Sequence, residues 1–127
     1  MSKKFSTTIK FSSKELTAKE RIKLKDLTDA LNVNTVVENE GEGIIDVDFW
    51  ATVEIHNDYS ENTDYEVFVI VDKAGVKYYT GSQSFIEAFE NIVDELTVEG
   101  ITDFQVKAYG VESKNYKGRA FLSCSLV

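Results

Sequence analysis

The chain has 127 residues, 43% of them hydrophobic, with fourteen Phe and Tyr, no Pro and a net charge of −8. That length suits one domain with a real core, and no run of about 18 apolar residues is present that would span a membrane. The lone Cys124 excludes an internal disulfide and the start MSKKFSTTIKF lacks the apolar stretch of a signal peptide, so a reducing cytoplasm is the expected setting.

The segment KKFSTTIKF alternates loosely at Phe5, Thr7, Ile9 and Phe11, as a short strand or an arm would. Thr17 and Glu20 form a capping-box pattern. Ala18 to Leu31 follows without Gly or Pro and places Leu24, Leu27 and Leu31 on one helical face, although RIKLKDL also alternates as a strand does. Asn32 to Gly43 is polar, holds two glycines and reads as a loop.

The run IIDVDFWATVEIH is the clearest signal. Ile45, Val47, Phe49, Ala51, Val53 and Ile55 alternate with Asp46, Asp48, Trp50, Thr52, Glu54 and His56, which predicts a long strand with one buried face. Tyr65 to Val71 is β-branched and aromatic, a second strand. Asp72-Lys73-Ala74-Gly75 has the length and chemistry of a hairpin turn, and Val76 to Thr80 is a third strand. Ser82 or Ser84 then caps a helix carrying Phe85, Phe89, Ile92 and Leu96 on one face. Phe104 to Tyr109 and Ala120 to Leu126 alternate as fourth and fifth strands, joined by the polar segment Glu112 to Gly118.

The expected architecture is therefore all-β with one or two helices. A five-stranded OB-type barrel in the order β-β-β-α-β-β spans 44–126, after an N-terminal extension over 1–43 of arm, helix and loop, all in a single domain, 1–127. A split α+β sheet is the rival arrangement.

The negative total hides an uneven distribution. Residues 1–25 carry +6, residues 26–106 carry −17 and residues 107–127 carry +3. Potential within roughly 10 Å is what a phosphate feels at ordinary salt, so the basic ends are where an anionic partner is expected.

Catalytic chemistry is poorly represented. His56 near Asp58 suggests an acid–base pair, but a lone histidine at a strand end is more often structural, and Cys124 reads as an inert core thiol. Asp46, Asp48 and Glu54 lack a third ligand at a recognisable spacing and read as a solvated face; Thr80-Gly81-Ser82 reads as ordinary capping. No enzyme activity, cofactor or metal is expected. Aromatic rings near lysines are more informative: Trp50 among polar neighbours, Tyr78, Tyr109 beside Lys107, and Tyr116 within Ser113-Lys114-Asn115-Tyr116-Lys117-Gly118-Arg119. Rings of this kind stack on bases while ammonium groups meet phosphates.

A set of ordered segments carries a resemblance: Ile55-His56-Asn57-Asp58, Ile70 to Tyr78, Thr80 to Phe85 with Phe89, Ser113 to Gly118, and Phe121, Cys124 and Ser125. Together they resemble a group of single-stranded DNA-binding proteins from phages of Gram-positive bacteria, over residues 17–127 and most densely after 55. The resemblance implies an OB fold and single-stranded DNA binding in phage replication or recombination, within the host cell cytoplasm. Unlike many single-stranded DNA-binding proteins, the sequence ends inside a strand, not in an acidic tail. On this reading Trp50, Tyr78, Tyr109 and Tyr116 stack on bases, and Lys73, Lys77, Lys107, Lys114, Lys117 and Arg119 contact phosphates. A homodimer is expected from the free edges of a small barrel, and replication or recombination proteins are candidate partners. The alternative is a phage protein-interaction module that binds a host protein through its acidic surface.

Overall fold

A computed structural model describes residues 5–59, 63–112 and 120–127. Seven strands and three helices occur among them: β1 (Phe5–Ser12), α1 (Ala18–Lys25), β2 (Leu31–Asn32), α2 (Val33–Glu40), β3 (Glu42–Asn57), β4 (Asp64–Asp72), β5 (Lys77–Thr80), α3 (Gln83–Val98), β6 (Phe104–Glu112) and β7 (Ala120–Leu126). The five strands and the helix expected over 44–126 are β3 to β7 and α3. The N-terminal extension adds two strands to the same sheet, and the Asn32–Gly43 segment, expected as a loop, is the helix α2. The Asn32 side chain caps it by accepting from the Asn34 N–H at 2.9 Å, Val33 is buried, and Gly41 at φ +83° ends it. The helix expected over 18–31 stops at Lys25, because the Asp26 carboxylate accepts from the Thr28 N–H and hydroxyl and turns the chain.

The strand order is β2-β5-β4-β3-β6-β7, with β1 also paired to β3. Strand β3 is long enough to serve two partners along one edge, β6 along Glu42–Val47 and β1 along Ala51–Asn57. The changeover is a bulge. Val47 pairs with Asp72 and Phe49 with Val71, so two steps on β3 oppose one on β4. That extra residue reverses the faces. Ile45 and Val47 point into the core beneath α3, while Phe49, Ala51, Val53 and Ile55 enter a second core on the opposite side. The expected single buried face is thus two half-faces, on opposite sides of one strand. A matching shift in β1 between Ile9 and Phe11 sends Ile9 to the second core, while Phe11 pairs with Thr52 and borders the groove beside Trp50.

We call the α3 side inner and the other side outer. The inner core is built on Phe85 and Phe89, both fully buried, with Phe68, Phe104, Val106, Leu122 and Cys124. Burial pushes the Cys124 thiol up to about 12. The Ser82 hydroxyl caps α3 by accepting from the Phe85 N–H, and Ser84 Oγ donates to the Leu122 carbonyl at 2.6 Å, tying the helix to edge strand β7. The hairpin between β4 and β5 forms as expected, with Gly75 at φ +88° and the Asp72 carboxylate accepting from the Ala74 and Val76 N–H groups. The edge of β5 away from β4 is taken by β2, in parallel. Among the described residues β7 does not return to β5, so the sheet is a curled half-barrel, mostly β in content and consistent with an OB-like barrel. No helix among them is long and apolar enough to cross a membrane.

Candidate nucleic-acid interface

The outer face has two halves. Over β3, β4 and β5 it is crossed by a strap, the segment 13–31 that contains α1. The strap is tied down at its start by a reciprocal pair, in which Trp50 N–H donates to Ser13 Oγ at 3.0 Å and Ser13 N–H to the Trp50 carbonyl at 2.9 Å. The expected capping box is present: Glu20 N–H donates to Thr17 Oγ1 and Thr17 N–H to the Glu20 carboxylate. Lys14 sits over the Phe49 ring at 4.5 Å and pairs with Glu20 at 3.0 Å. Leu24 buries fully and Leu16 and Leu27 partly, and at the far end β2 pairs with β5.

Two grooves flank the strap. One, of about 380 Å³, is lined by Thr7, Lys25, Leu27, Ile55, Tyr65 and Tyr79. The other, of about 410 Å³, has Lys23, Asp26, Phe49, Val71 and Lys77 in its wall. Over β6 and β7 the outer face is open. Register places Lys107 opposite Ile44 and Ser125, Tyr109 opposite Glu42 and Ser123, and Val111 opposite Phe121. Lys107 Nζ lies 5.8 Å from the Tyr109 ring centroid, and Phe121 is 44% exposed.

The structure therefore brings Lys107 and Tyr109 together, and adds Phe121, Tyr65 and Tyr79. In the sequence Phe121 belongs to the fifth strand and to the segments that carry the resemblance; its nearness to Tyr109 is a matter of register. Lys114, Tyr116, Lys117 and Arg119 lie outside the described residues, in the segment between β6 and β7. The remaining candidates sit elsewhere. The Trp50 ring packs edge-on against Phe89 at 5.2 Å and Phe104 at 6.0 Å, so it belongs to the inner side. Tyr78 is half-buried against the same core, and burial is the main cause that raises its phenol above the ordinary value. Lys73 is engaged by Asp103 and by Asp46. Lys77 is on the outer face but buried beneath the strap, with its ammonium on the Lys23 carbonyl.

Ion pairing separates the cations further. Lys10, Lys14, Lys73 and Lys77 each pair with a carboxylate, whereas Lys19, Arg21, Lys23, Lys25 and Lys107 pair with none among the described residues. Four of these five are on α1 and the fifth is on the open outer face. The helix on the inner side has the opposite sign. Glu87, Glu90, Asp94 and Glu95 are exposed on α3, which carries no Lys or Arg. The cations without a carboxylate partner are therefore on the outer side, where Glu42 also stands opposite Tyr109, and the carboxylates of α3 are on the inner side, a contrast that favours the strap and the β6–β7 face for a polyanion.

His56 is a fastening. Nδ1 lies 2.7 Å from the Asp64 carboxylate and Nε2 2.8 Å from that of Asp58, both of which accept from the protonated ring, so the ring joins the two ends of the β3–β4 connection. The hydrogen bond to Asp64 is the chief cause that raises its pKa above 6.5, partial desolvation opposes it, and the charges of Asp58 and Asp64 add to the rise. A pKa raised in the folded state contributes stability that is complete below 6.5 and is lost as pH rises through the folded value. NMR titration of this single histidine is expected to give a pKa above 6.5. His56→Gln is expected to remove the part of the stability decline seen between 6.5 and that value. An NMR pKa at or below 6.5 would contradict the two carboxylate contacts.

A family model described as Phage Single-stranded DNA-binding protein matches residues 4–127. No curated protein and no solved structure gives a significant match.

Proposed function

Because the chain belongs to the phage single-stranded DNA-binding protein family, we propose that it binds single-stranded DNA, without catalysis, on the outer face of its half-barrel. The carrying observation is that the cations without a carboxylate partner, on α1 and β6, share this face with Tyr65, Tyr79, Tyr109 and Phe121. Bases stack on these rings, and Lys23, Lys25 and Lys107 meet phosphates. Crossing from β5 to β7 takes four strand spacings, about 19 Å at 4.8 Å each, within the reach of the smaller sites of roughly 4–16 nucleotides known for such folds. Lys114, Tyr116, Lys117 and Arg119, outside the described residues, are proposed as further contacts on their sequence pattern alone. OB-type closure, one domain over 1–127, and a role in phage replication or recombination in the host cytoplasm complete the proposal. A homodimer belongs to it too, supported by the second edge of β1, which has no strand partner among the described residues.

The test is a titration with labelled oligo-dT at low and moderate salt. Each phosphate-contacting cation contributes about 0.7 to the slope of log affinity against log salt. Three contacts therefore predict a slope near −2 or steeper, and absence of binding at low salt would end the reading. One observation favours a second reading. A groove of about 380 Å³ on the inner side, lined by Phe11, Trp50, Val93 and Leu96, lies beside the acidic surface of α3 and suits a host or phage protein. That reading alone predicts negligible DNA affinity.

A further inference from the structure

We infer that Lys77 is a positioning residue of the DNA surface and not a contact: it clasps the C-terminal end of α1 and so holds the cations of that helix over the outer face. The inference rests on the outer-face reading just given.

Lys77 is on β5, opposite Val71, and is 8% exposed. Its ammonium donates to the Lys23 carbonyl at 2.7 Å and to the Asp26 carbonyl, and it pairs with the Asp29 carboxylate at 3.1 Å. An ammonium has three N–H donors and these are three acceptors, so no donor remains for a phosphate. The partners are those that a helix end offers. The Lys23 carbonyl accepts from the C-cap Asp26 N–H at 3.2 Å and has a second lone pair for the ammonium, the Asp26 carbonyl lies past the last turn of α1, and a cation there complements the negative end of the helix.

The clasp matters because the strap's other ties, at Ser13, Leu16, Leu27 and β2, lie outside α1. That helix is eight residues long and buries only Leu24, and a helix this short is marginal by itself. Its exposed residues include Lys19, Arg21, Lys23 and Lys25. Lys23 lines one flanking groove together with Lys77, and Lys25 lines the other with Tyr65 and Tyr79. Where the end of α1 is pinned therefore decides where these two ammonium groups stand relative to the rings.

The test is a cycle on oligo-dT binding against salt, with the unaltered protein, Lys77→Met, the pair Lys23→Gln/Lys25→Gln, and the triple variant. A lost phosphate contact flattens the slope by about 0.7. The clasp predicts that Lys77→Met flattens it by about 1.4, as the Lys23/Lys25 pair does, and that the triple variant loses nothing further. Amide exchange without DNA is expected to rise in α1 of Lys77→Met and not in β3 or β4. If Lys77→Met flattens the slope by about 0.7 and the triple variant loses a further step beyond the pair, Lys77 touches phosphate and the inference fails. Loosened α1 amides with unchanged DNA binding make the clasp merely structural and overturn it as well. Should Lys77→Met not fold, Asp29→Ala removes one exposed acceptor; it is expected to flatten the slope and quicken exchange in α1, and no change in either refutes the clasp. Failure of the unaltered protein to bind oligo-dT at all would strike the outer-face reading itself, an outcome distinct from each of these.

Discussion

Truncation of Phe89 to Ala is expected to lower stability by about 3–5 kcal/mol, the usual cost of removing a buried aromatic ring. Phe89 is fully buried at the centre of an aromatic cluster: Trp50 lies 5.2 Å from it, Phe68 5.3 Å, Phe104 6.2 Å and Phe85 6.4 Å between ring centroids. The loss combines the transfer term for the ring, the edge-to-face contacts, and a cavity that rigid strands on one side and α3 on the other do not close. Against a total stability of roughly 5–15 kcal/mol for a small domain, this leaves a marginal protein. Urea unfolding followed by Trp50 fluorescence reads it directly, since Trp50 is the only tryptophan and touches the altered site. A loss under about 1 kcal/mol would mean that α3 does not pack on the sheet as described.

Replacing Tyr109 and Phe121 by Ser is expected to weaken oligo-dT binding by about 1–3 kcal/mol for each ring, roughly 5- to 150-fold. Stability should change by much less, about 0.2–1 kcal/mol per site, because both rings sit on an open sheet face and lose only cross-strand contacts. Trp50→Phe is the paired control. That ring is turned to the inner side among Phe89 and Phe104, beside the acidic helix, so its replacement is expected to leave DNA affinity unchanged. The opposite pattern, with affinity lost at Trp50 and kept at Tyr109 and Phe121, would move the ligand to the inner side and refute the proposed surface.

Several features could be read from the chain because their causes lie within a few residues. The alternation from Ile45 to Ile55 marks a strand wherever its side chains end up. Asp72 to Gly75 supplies its own acceptor and its own positive φ. The spacing of Phe85, Phe89, Ile92 and Leu96 marks one helical face whatever packs on it. The expectation that His56 is structural belongs here too, since both its partners are within eight residues.

What escaped depends on neighbours distant in sequence. Helix α2 shows this: its residues Val33-Asn34-Thr35-Val36-Val37 are weak helix formers, and the helix stands because Val33 buries in the inner core and Asn32 caps it. The bulge between Val47 and Phe49 leaves the period of two intact in the sequence and yet moves every later side chain to the other side. It exists only as a pairing with β4, so one apparent face concealed two cores, and Trp50 changed sides with it.

The sequence by itself determined the strands, the long helix, the basic ends and the supply of aromatic rings, because composition and periodicity are local properties. Only the tertiary structure decided which cations are left for a ligand. Lys77 looks like any strand lysine until β5 is laid beside the end of a helix whose carbonyl at Lys23 comes 54 residues earlier. Lys107 looks no different, and it remains on an open face beside Tyr109. A side chain's charge is written in the chain, but whether that charge is spent within the fold depends on what the fold brings within about 3 Å of it.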